Sequence, residues 1–326
     1  MAVPNSITEQ IDNLYTTTWQ HMREEGAVDN IFEATPFYFW LRDNDRIKFQ
    51  EGGRFIEETL VYKKNDDVVW LGKGGTVTLQ DREILTGAYY IWHYIVAPIT
   101  RFGVDDQKNR GRMQIINLAS TKLENAQDSL VDTLEIQLFA GAGSDGGPFD
   151  GLLLLVANDP TTSVTVGGIN QQTYDWWRNK FKDMTGISFS SAGVQNMRTM
   201  MNNCSRNKGQ EKPDILVTNQ TIFEYYEEAV FDKYQIHNQK LTDLGFENMV
   251  FKGSPMIWSP SAPSSIYFLN TKYIKMVADP GYYFDMTEWK PIPNQVNDRA
   301  AQIISAITMT TNRRRAHGVM HTINTP

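Results

Sequence analysis

The glycine-rich run GAGSDGGPFDG, residues 141–151, contains the side chains that most directly suggest chemistry. A serine and an aspartate ahead of Gly-Gly-Pro are typical of the loop that presents the nucleophile of serine proteases. In that loop the aspartate precedes the serine, whereas here Ser144 precedes Asp145. The changed order moves the hydroxyl by one backbone position and would not reproduce the oxyanion geometry. We therefore interpret the run as a hinge made by four glycines, Gly141, Gly143, Gly146 and Gly147.

Two histidines, His317 and His321, are the other residues whose spacing suggests a ligand site. Four residues apart, they would share one face of a helix, but Gly318 and the β-branched flank argue against a helix there. No third ligand is evident at a zinc-site spacing. The glycines at 72–75 do not match the Gly-x4-Gly-Lys-Ser/Thr phosphate loop. We therefore expect no catalytic, cofactor-binding or metal-binding residue, and no enzyme activity.

Two further groups of residues leave alternatives open. The basic cluster Arg313, Arg314 and Arg315 is expected to pair with acidic residues of a neighbouring subunit, and contact with nucleic-acid phosphates is the alternative. The adjacent Trp176 and Trp177 are expected to pack in a core, and a stacking platform for bases or sugars is the alternative. Neither pattern identifies a reaction.

The composition is that of a globular protein. The chain has 326 residues, of which 41% are hydrophobic and 21% charged, and its net charge is −7. This acidic balance argues against a surface devoted to nucleic acid. The single cysteine, Cys204, excludes an intrachain disulfide, and the longest apolar run, residues 152–157, is too short to span a bilayer. Because the start lacks a signal-peptide pattern, we expect a soluble protein made in the cytoplasm, with no membrane partner.

The N-terminal part of the chain has an extended character. Residues 7–23 are predicted to form a helix. Residues 55–62 are predicted to form a strand, because this segment is rich in β-branched and aromatic side chains. After a polar tip at 63–67, residues 68–71 are predicted to form a second strand. The result would be a long hairpin with charged edges. Because an isolated hairpin is only marginally stable, we expect it to rest on another surface, such as a neighbouring subunit.

A long helix is predicted immediately before the glycine-rich run. Between residues 106 and 139 there is no proline and the only glycine is Gly111. Apolar side chains recur there at helical spacing, at Ile116, Leu123, Leu130, Leu134 and Leu138. At 1.5 Å per residue this helix would be about 50 Å long. Downstream, strands, turns and short helices alternate up to a closing β-segment, AAQIISAITMTTNRRRAHGVMHTI. The domain boundary is therefore predicted at residues 141–150.

Four stretches carry a resemblance to a known family. In order along the chain they are GGINQQTYDWWRN, DLGFENMVFKGSPMIWSPSAP, IYFLNTKYIKMV and TTNRRRAHGVM. Together with the hairpin, the long helix and the glycine-rich run, they resemble the major capsid proteins of tailed bacteriophages, which have the Hong Kong 97-like fold. The resemblance implies an α+β fold with an N-terminal arm, an extended β-hairpin loop, a peripheral domain with a long spine helix, and a mixed α/β axial domain.

The resemblance also implies an assignment of these parts and a function. Residues 1–50 would be the arm, 51–83 the extended loop, 84–148 with 300–326 the peripheral domain, and 149–299 the axial domain. The implied protein is a structural subunit that assembles as pentamers and hexamers into an icosahedral shell around packaged double-stranded DNA. The expected partners are other copies of the chain, a separate scaffolding protein, a portal protein, a decoration protein, and the DNA through non-specific contacts. The expected location is the virion.

Contacts between subunits would involve the extended loop and the arginine cluster. The candidate residues are Arg54, Lys63, Lys64, Asp66, Asp67, Trp70, Arg313, Arg314 and Arg315. No asparagine partner can be matched for a lysine cross-link, so no cross-link site is predicted. One alternative function is an encapsulin-like compartment with the same fold. Another is a soluble hydrolase or carbohydrate-binding module that would use Ser144 or the tryptophan pair.

Overall fold

The computed structural model describes residues 36–77, 81–103, 112–205, 211–231, 249–295 and 297–323. The predicted helix at 7–23 lies outside these ranges, as do most of the predicted arm and the first residues of the predicted long helix. Within these ranges the chain forms two six-stranded β-sheets, two short two-stranded sheets and five α-helices.

Helices and strands alternate along the described chain. The helices are α1 (Pro36–Asp43), α2 (Arg112–Leu138), α3 (Leu152–Leu155), α4 (Phe189–Cys204) and α5 (Gln220–Phe231). The strands up to the middle of the chain are β1 (Ile47–Phe49), β2 (Ile56–Val61), β3 (Leu85–Tyr90), β4 (His93–Arg101), β5 (Thr165–Val166), β6 (Ile169–Asn170), β7 (Lys180–Asp183) and β8 (Ile215–Thr218). The later strands are β9 (Met249–Phe251), β10 (Ser254–Trp258), β11 (Ser265–Leu269), β12 (Ile274–Ala278), β13 (Asp285–Met286), β14 (Lys290–Pro291), β15 (Arg299–Thr311) and β16 (Gly318–His321). Short 3₁₀ turns lie at Asp175–Trp177, Pro280–Tyr282 and Arg314–Ala316.

The first six-stranded sheet is built around β15, a strand of 13 residues. β15 pairs antiparallel with β4 through its first nine residues and with β12 through its last five. β13 and β14 also pair with β15, and β1 pairs in parallel with β12. The β-branched residues of AAQIISAITMTT favour such a strand, and the predicted closing β-segment is confirmed.

The second six-stranded sheet has the order β7-β16-β11-β8-β10-β9. β8 lies in its interior and is buried at all four residues, as expected for a strand covered on both faces. α4 contacts β16 and α5 contacts β10, and the two helices contact each other. Buried methionines and aromatic residues fill a separate core between the helices and the sheet.

The closing segment of the chain contributes β15 to the first large sheet and β16 to the second. β16 lies within residues 300–326, yet it pairs in the second sheet, with β7 and β11. Conversely, β12, β13 and β14 lie within residues 149–299, yet they belong to the first sheet. Each sheet therefore combines strands from separate parts of the chain, because strand partners are set by hydrogen bonding between segments far apart in sequence. The predicted domain boundaries stay a prediction.

The long helix α2 has 27 described residues and is about 40 Å long. It packs beside β4 of the first sheet. The predicted apolar stripe is confirmed at four positions that are buried in the core, Leu123, Leu130, Leu134 and Leu138. Neither α2 nor any other helix in the described ranges is both long and apolar enough to cross a membrane.

Glu135 ties α2 to the second sheet. The side chain is buried and accepts a hydrogen bond of 2.7 Å from Oγ of Ser259, which directly follows β10. Its other carboxylate oxygen, Oε2, has no hydrogen-bond partner among the described residues. Burial, together with the nearby charge of Asp132, raises the pKa of Glu135 to about 7. The contact between helix and sheet therefore contains an acid that titrates near neutral pH.

Candidate interaction surfaces

An extended loop leaves the body of the chain along β2 and returns along β3, and these two strands form a sheet of their own. The two strands pair antiparallel through all six residues of each. The predicted strand at 55–62 is confirmed, but the predicted strand at 68–71 is wrong, because those residues have no strand pairing and β2 pairs with β3 instead. The glycines that follow residue 71 weaken that segment as a strand, whereas LTGAYY in β3 supplies aromatic and β-branched side chains.

The base of the extended loop is fixed to the core of its own chain. The inward-facing residues of β2 and β3 are Ile56, Leu60, Ala88 and Tyr90. The Tyr90 hydroxyl donates a hydrogen bond of 2.8 Å to the carbonyl oxygen of Thr311 in β15. Glu58 forms an ion pair of 3.3 Å with Lys275 in β12. The base is therefore held by both packing and polar contacts.

The far part of the extended loop is braced by its own charges. Arg82 donates two hydrogen bonds to the Asp67 carboxylate, at 2.8 and 2.9 Å, and this bidentate geometry is the strongest that an arginine makes with a carboxylate. Lys63 lies 3.8 Å from Asp66. Asp67, predicted to contact a neighbouring subunit, is thus engaged within the loop. Arg82 was not predicted as a functional residue, and the sequence indicated its role only through its charge, which is opposite to that of Asp67.

The most exposed apolar residues of the loop form one segment, here called the apolar tip. It consists of Val68, Val69, Trp70 and Leu71. Their exposed fractions are 81%, 55%, 103% and 51%, so the Trp70 side chain has no cover at all within its own described chain. A contiguous apolar patch of this kind is typical of an interaction site.

A cleft of about 650 Å³ lies between the base of the extended loop and the second sheet. Its cationic lining residues are Lys63, Lys64, Lys180, Arg313, Arg314 and Arg315. Its aromatic walls include Tyr62, Trp176 and Tyr273. Five predicted contact residues, the two lysines of the loop and the three arginines, are therefore brought to one place. Lys180, on β7, was not predicted, because only the pairing of β7 with β16 brings it there.

The three consecutive arginines have three different environments. Arg313 donates hydrogen bonds to the Glu211 carboxylate at 2.9 Å and to the Tyr273 hydroxyl at 2.8 Å. Arg314, also predicted to contact a neighbouring subunit, is fully buried, and its guanidinium is enclosed by its own chain. Arg315 is exposed at the mouth of the cleft. Arg315 is therefore the one arginine of the three that is both exposed and without a hydrogen-bond or ion-pair partner among the described residues.

The buried guanidinium of Arg314 joins several backbone segments. Nε donates to the carbonyl of Leu155 at 2.8 Å, Nη1 to the carbonyl of Trp177 at 3.3 Å, and Nη2 to Leu154 and to Asn179 Oδ1, both at 3.2 Å. These four hydrogen bonds all go to neutral acceptors, so none of them pairs the guanidinium charge with a carboxylate. Burial lowers the pKa of Arg314 to about 10, at which the side chain still carries its charge at neutral pH.

The two tryptophans also differ in their surroundings. Trp177 is buried and its Nε1 donates a hydrogen bond of 3.0 Å to the carbonyl of Val166, as expected for a core residue. Trp176 is only half-buried, and its ring lies among those of Tyr62, Tyr174 and Trp177, at centroid distances of 5.8, 6.0 and 5.7 Å. The packing interpretation therefore holds for Trp177, and Trp176 also packs against the core while it lines the cleft.

Comparison of this architecture with known proteins gives structural matches without sequence matches. No family model matches the sequence, and no curated protein matches it. The cyanophage A-1(L) capsid chain matches with a TM-score of 0.60 at 17% identity, over 85% of this chain and 90% of that one. A chain of the satellite phage P4 procapsid matches with a TM-score of 0.53 at 12% identity, over 100% and 94% of the two chains. The holo-SrpI encapsulin complex from Synechococcus elongatus PCC 7942 contains a chain with a TM-score of 0.51 at 9% identity, over 87% of each.

This chain has the Hong Kong 97-like fold. In the terms of this fold, α2 is the long spine helix, and the segment from β2 to β3 is the extended loop. The matched chains come from a cyanophage capsid, a phage procapsid and an encapsulin complex.

The glycine-rich run in this Hong Kong 97-like chain is a turn that internal hydrogen bonds hold in place. Gly143 N donates a hydrogen bond of 2.8 Å to Asp150 Oδ1, and Gly147 N donates one of 2.9 Å to the Ser144 carbonyl. Gly146 has a φ of +74°, a conformation that glycine adopts most easily. Ser144 is therefore part of the turn, and the run links the spine helix to α3. Its role as a hinge between conformations stays a prediction.

The two histidines serve the packing of this fold. His317 is fully buried, and its Nδ1 accepts a hydrogen bond of 3.2 Å from the backbone N–H of Asn270. Burial and the nearby arginine charges lower the pKa of His317 to about 3, which keeps the ring neutral. His321 lies 3.8 Å from Asp183. Across the described ranges, no three His, Cys, Asp or Glu side chains are grouped so as to hold a metal ion.

Proposed function

We propose that this chain is the major capsid protein of a tailed phage. It would assemble as pentamers and hexamers into an icosahedral shell that encloses packaged double-stranded DNA. The observation that supports this proposal most directly is the apolar tip, which a chain with the Hong Kong 97-like fold exposes at the end of a firmly anchored loop. Matched chains from a cyanophage capsid and a phage procapsid support the same proposal.

The apolar tip requires a partner surface on another molecule. A second copy of the chain that covers the tip with a different part of its surface makes a heterologous contact. Repetition of such a contact around a rotation axis closes a ring, and many individually weak contacts add up to a stable closed assembly. This is the physical basis on which we assign the function to the assembly rather than to a chemical site.

Charged residues are proposed to set the register of these contacts. Of the charged residues predicted from the sequence, five are exposed in the extended loop or at the cleft: Arg54, Lys63, Lys64, Asp66 and Arg315. Complementary charges contribute to specificity and orientation more than to affinity. The same proposal includes a portal protein, a decoration protein and the packaged DNA as further partners, and the virion as the location.

An encapsulin-like compartment is the second candidate function. It is favoured by the match to the SrpI encapsulin chain, which covers 87% of this protein. The two candidates differ in content, because a capsid holds a long DNA molecule and a compartment of this kind holds protein cargo. Nuclease treatment of native particles followed by DNA extraction separates them: nuclease-resistant DNA supports the capsid, and its absence supports the compartment.

The assembly proposal is tested by negative-stain electron microscopy of the full-length protein, expressed with and without its neighbouring genes. Closed shells or rings of subunits are the expected result. Deletion of residues 64–75 removes the apolar tip and should abolish closed shells while the subunit stays folded, because the tip has few contacts with its own core. A matched variant replaces Val68–Leu71 by Ser-Gly-Ser-Gly and keeps the loop length. Normal shells from both variants would refute the role of the tip, and uniform monomers of the natural protein under both conditions would refute the function.

A further inference from the structure

The cleft beside the extended loop has an excess of positive charge. None of the described residues that line it is acidic. Arg313 is neutralised by Glu211, and Lys63 lies near Asp66. The other exposed or half-exposed cations of the lining have no ion-pair partner among the described residues, namely Lys64, Lys180 and Arg315.

The same cleft is also lined by a buried charge, the guanidinium of Arg314. The hydrogen-bond acceptors of Arg314 are carbonyl and amide oxygens, so no carboxylate offsets its charge. Burying a cation in this way is costly unless a counter-charge lies nearby. An anion bound in the cleft would therefore interact favourably with four cationic residues.

The walls of the cleft are aromatic as well as cationic. Tyr62, Trp176 and Tyr273 are each half-buried and line the cleft. Aromatic rings next to cations are the combination with which proteins hold nucleotides, because the rings stack on the bases and the cations bind the phosphates. The volume of about 650 Å³ lies within the usual range for small-molecule sites, about 300–1,000 Å³. A double helix is too wide to enter such a cleft.

We propose that this cleft binds a nucleotide, either free or within a single-stranded nucleic acid. Lys64, Lys180 and Arg315 would bind the phosphate, and the base would lie against the aromatic wall at Tyr62 and Trp176. Carboxylates of a neighbouring subunit would satisfy the charge but would leave the ring faces unused, and for that reason we favour the nucleotide. Lys64 and Arg315 are also proposed above to set the register of subunit contacts, so a nucleotide and a neighbouring subunit would compete for these two residues.

The test measures binding of three probes to the full-length, nuclease-treated protein: a fluorescein-labelled oligothymidylate, thymidine monophosphate and inorganic phosphate. Oligonucleotide binding is followed by fluorescence anisotropy and the two small probes by competition. If three phosphate contacts form, affinity should fall about 20-fold between 50 and 200 mM salt, given a slope of about −0.7 per phosphate for single strands. Bases should also quench tryptophan fluorescence, and Trp176→Phe should remove most of that quenching.

Charge-reversal variants tie the binding to the cleft. The double variant Lys64→Glu/Arg315→Glu should weaken oligonucleotide binding at least 100-fold, because two cations become anions. The matched control Arg198→Glu/Lys290→Glu changes the net charge equally at exposed positions outside the cleft and should weaken it less than fivefold. Unfolding curves of both variants establish that they are folded.

The probes distinguish the two sources of the nucleotide. Equal affinity for the monophosphate and the oligonucleotide assigns the cleft to free nucleotides, and much tighter oligonucleotide binding assigns it to a single strand. Three results would overturn the proposal: no binding of any probe at 50 mM salt, equal loss of binding in the two double variants, or competition by inorganic phosphate as effective as that by the nucleotide. Shell formation is tested separately, by electron microscopy of the full-length protein.

Discussion

Replacement of Trp70 by alanine is the perturbation whose outcome follows most directly from the structure. The side chain is fully exposed and lies between other exposed apolar residues of the tip. In the proposed assembly it becomes buried against a neighbouring subunit. A large aromatic side chain buries about 150–250 Å², which at about 25 cal/mol per Å² corresponds to an upper limit of about 4–6 kcal/mol. Truncation to alanine of a tryptophan that dominates an interface costs at least about 2 kcal/mol, and we take about 2–3 kcal/mol for Trp70.

This energy predicts a shift in the concentration at which shells begin to form. If each subunit makes one such contact, a loss of about 2–3 kcal/mol per subunit raises the threshold concentration by about 30- to 150-fold. The assay is light scattering over a series of protein concentrations, with sedimentation to separate shells from free subunits. The free subunit should keep its stability within about 0.5 kcal/mol, because Trp70 has no cover in its own chain.

Two results would refute this reasoning. An unchanged threshold concentration in Trp70→Ala would mean that no neighbouring subunit covers the tip. A free subunit destabilised by more than about 1 kcal/mol would mean that Trp70 is packed within its own chain in solution. Tyr282→Ala serves as a control, because Tyr282 is an exposed aromatic residue outside the extended loop and should leave the threshold nearly unchanged.

Three further predictions concern the stability of the free subunit. The folded-state pKa of Glu135 is raised to about 7, so the contribution of Glu135 to folding stability is fully present below pH 4.5 and is lost as the pH rises through 7. Denaturant unfolding should therefore show Glu135→Gln about 2–3 kcal/mol more stable than the natural chain at pH 8, with a much smaller gain at pH 5. An equal gain at the two pH values would contradict this prediction. Arg314→Met leaves buried acceptors unpaired and should cost about 3–5 kcal/mol by the same measurement, whereas a cost below about 1 kcal/mol would show that the network contributes little. Gly143→Ala would bring a Cβ within 2.2 Å of the Pro148 carbonyl oxygen and should lower the melting temperature by more than 10 °C. Gly146→Asn should change the melting temperature by only a few degrees, because position 146 has open space and a backbone conformation that asparagine tolerates. Similar shifts for the two variants would show that the turn is not held in this conformation.

Local patterns in the sequence were sufficient for several elements. The 3.6-residue spacing of leucines predicted the buried stripe of α2, because a helix repeats its faces over a few residues. β-branched and aromatic runs predicted β2 and β15 for a similar local reason. The order of Ser144 and Asp145 was enough to reject a protease loop. The Hong Kong 97-like fold was also expected from four ordered stretches of residues.

Only the tertiary structure decided which segments meet. The partner of β2 is β3, and not the nearer residues 68–71, because strand pairing depends on the whole sheet. The RRR cluster gave no sign that Arg314 would be buried while Arg315 stays exposed, since that depends on where β15 ends and β16 begins. The cationic cleft likewise arises from segments more than 200 residues apart. The sequence determines the chemistry of each side chain. The neighbours of a side chain, and therefore its burial and whether its charge is paired, depend on contacts that only the folded chain makes.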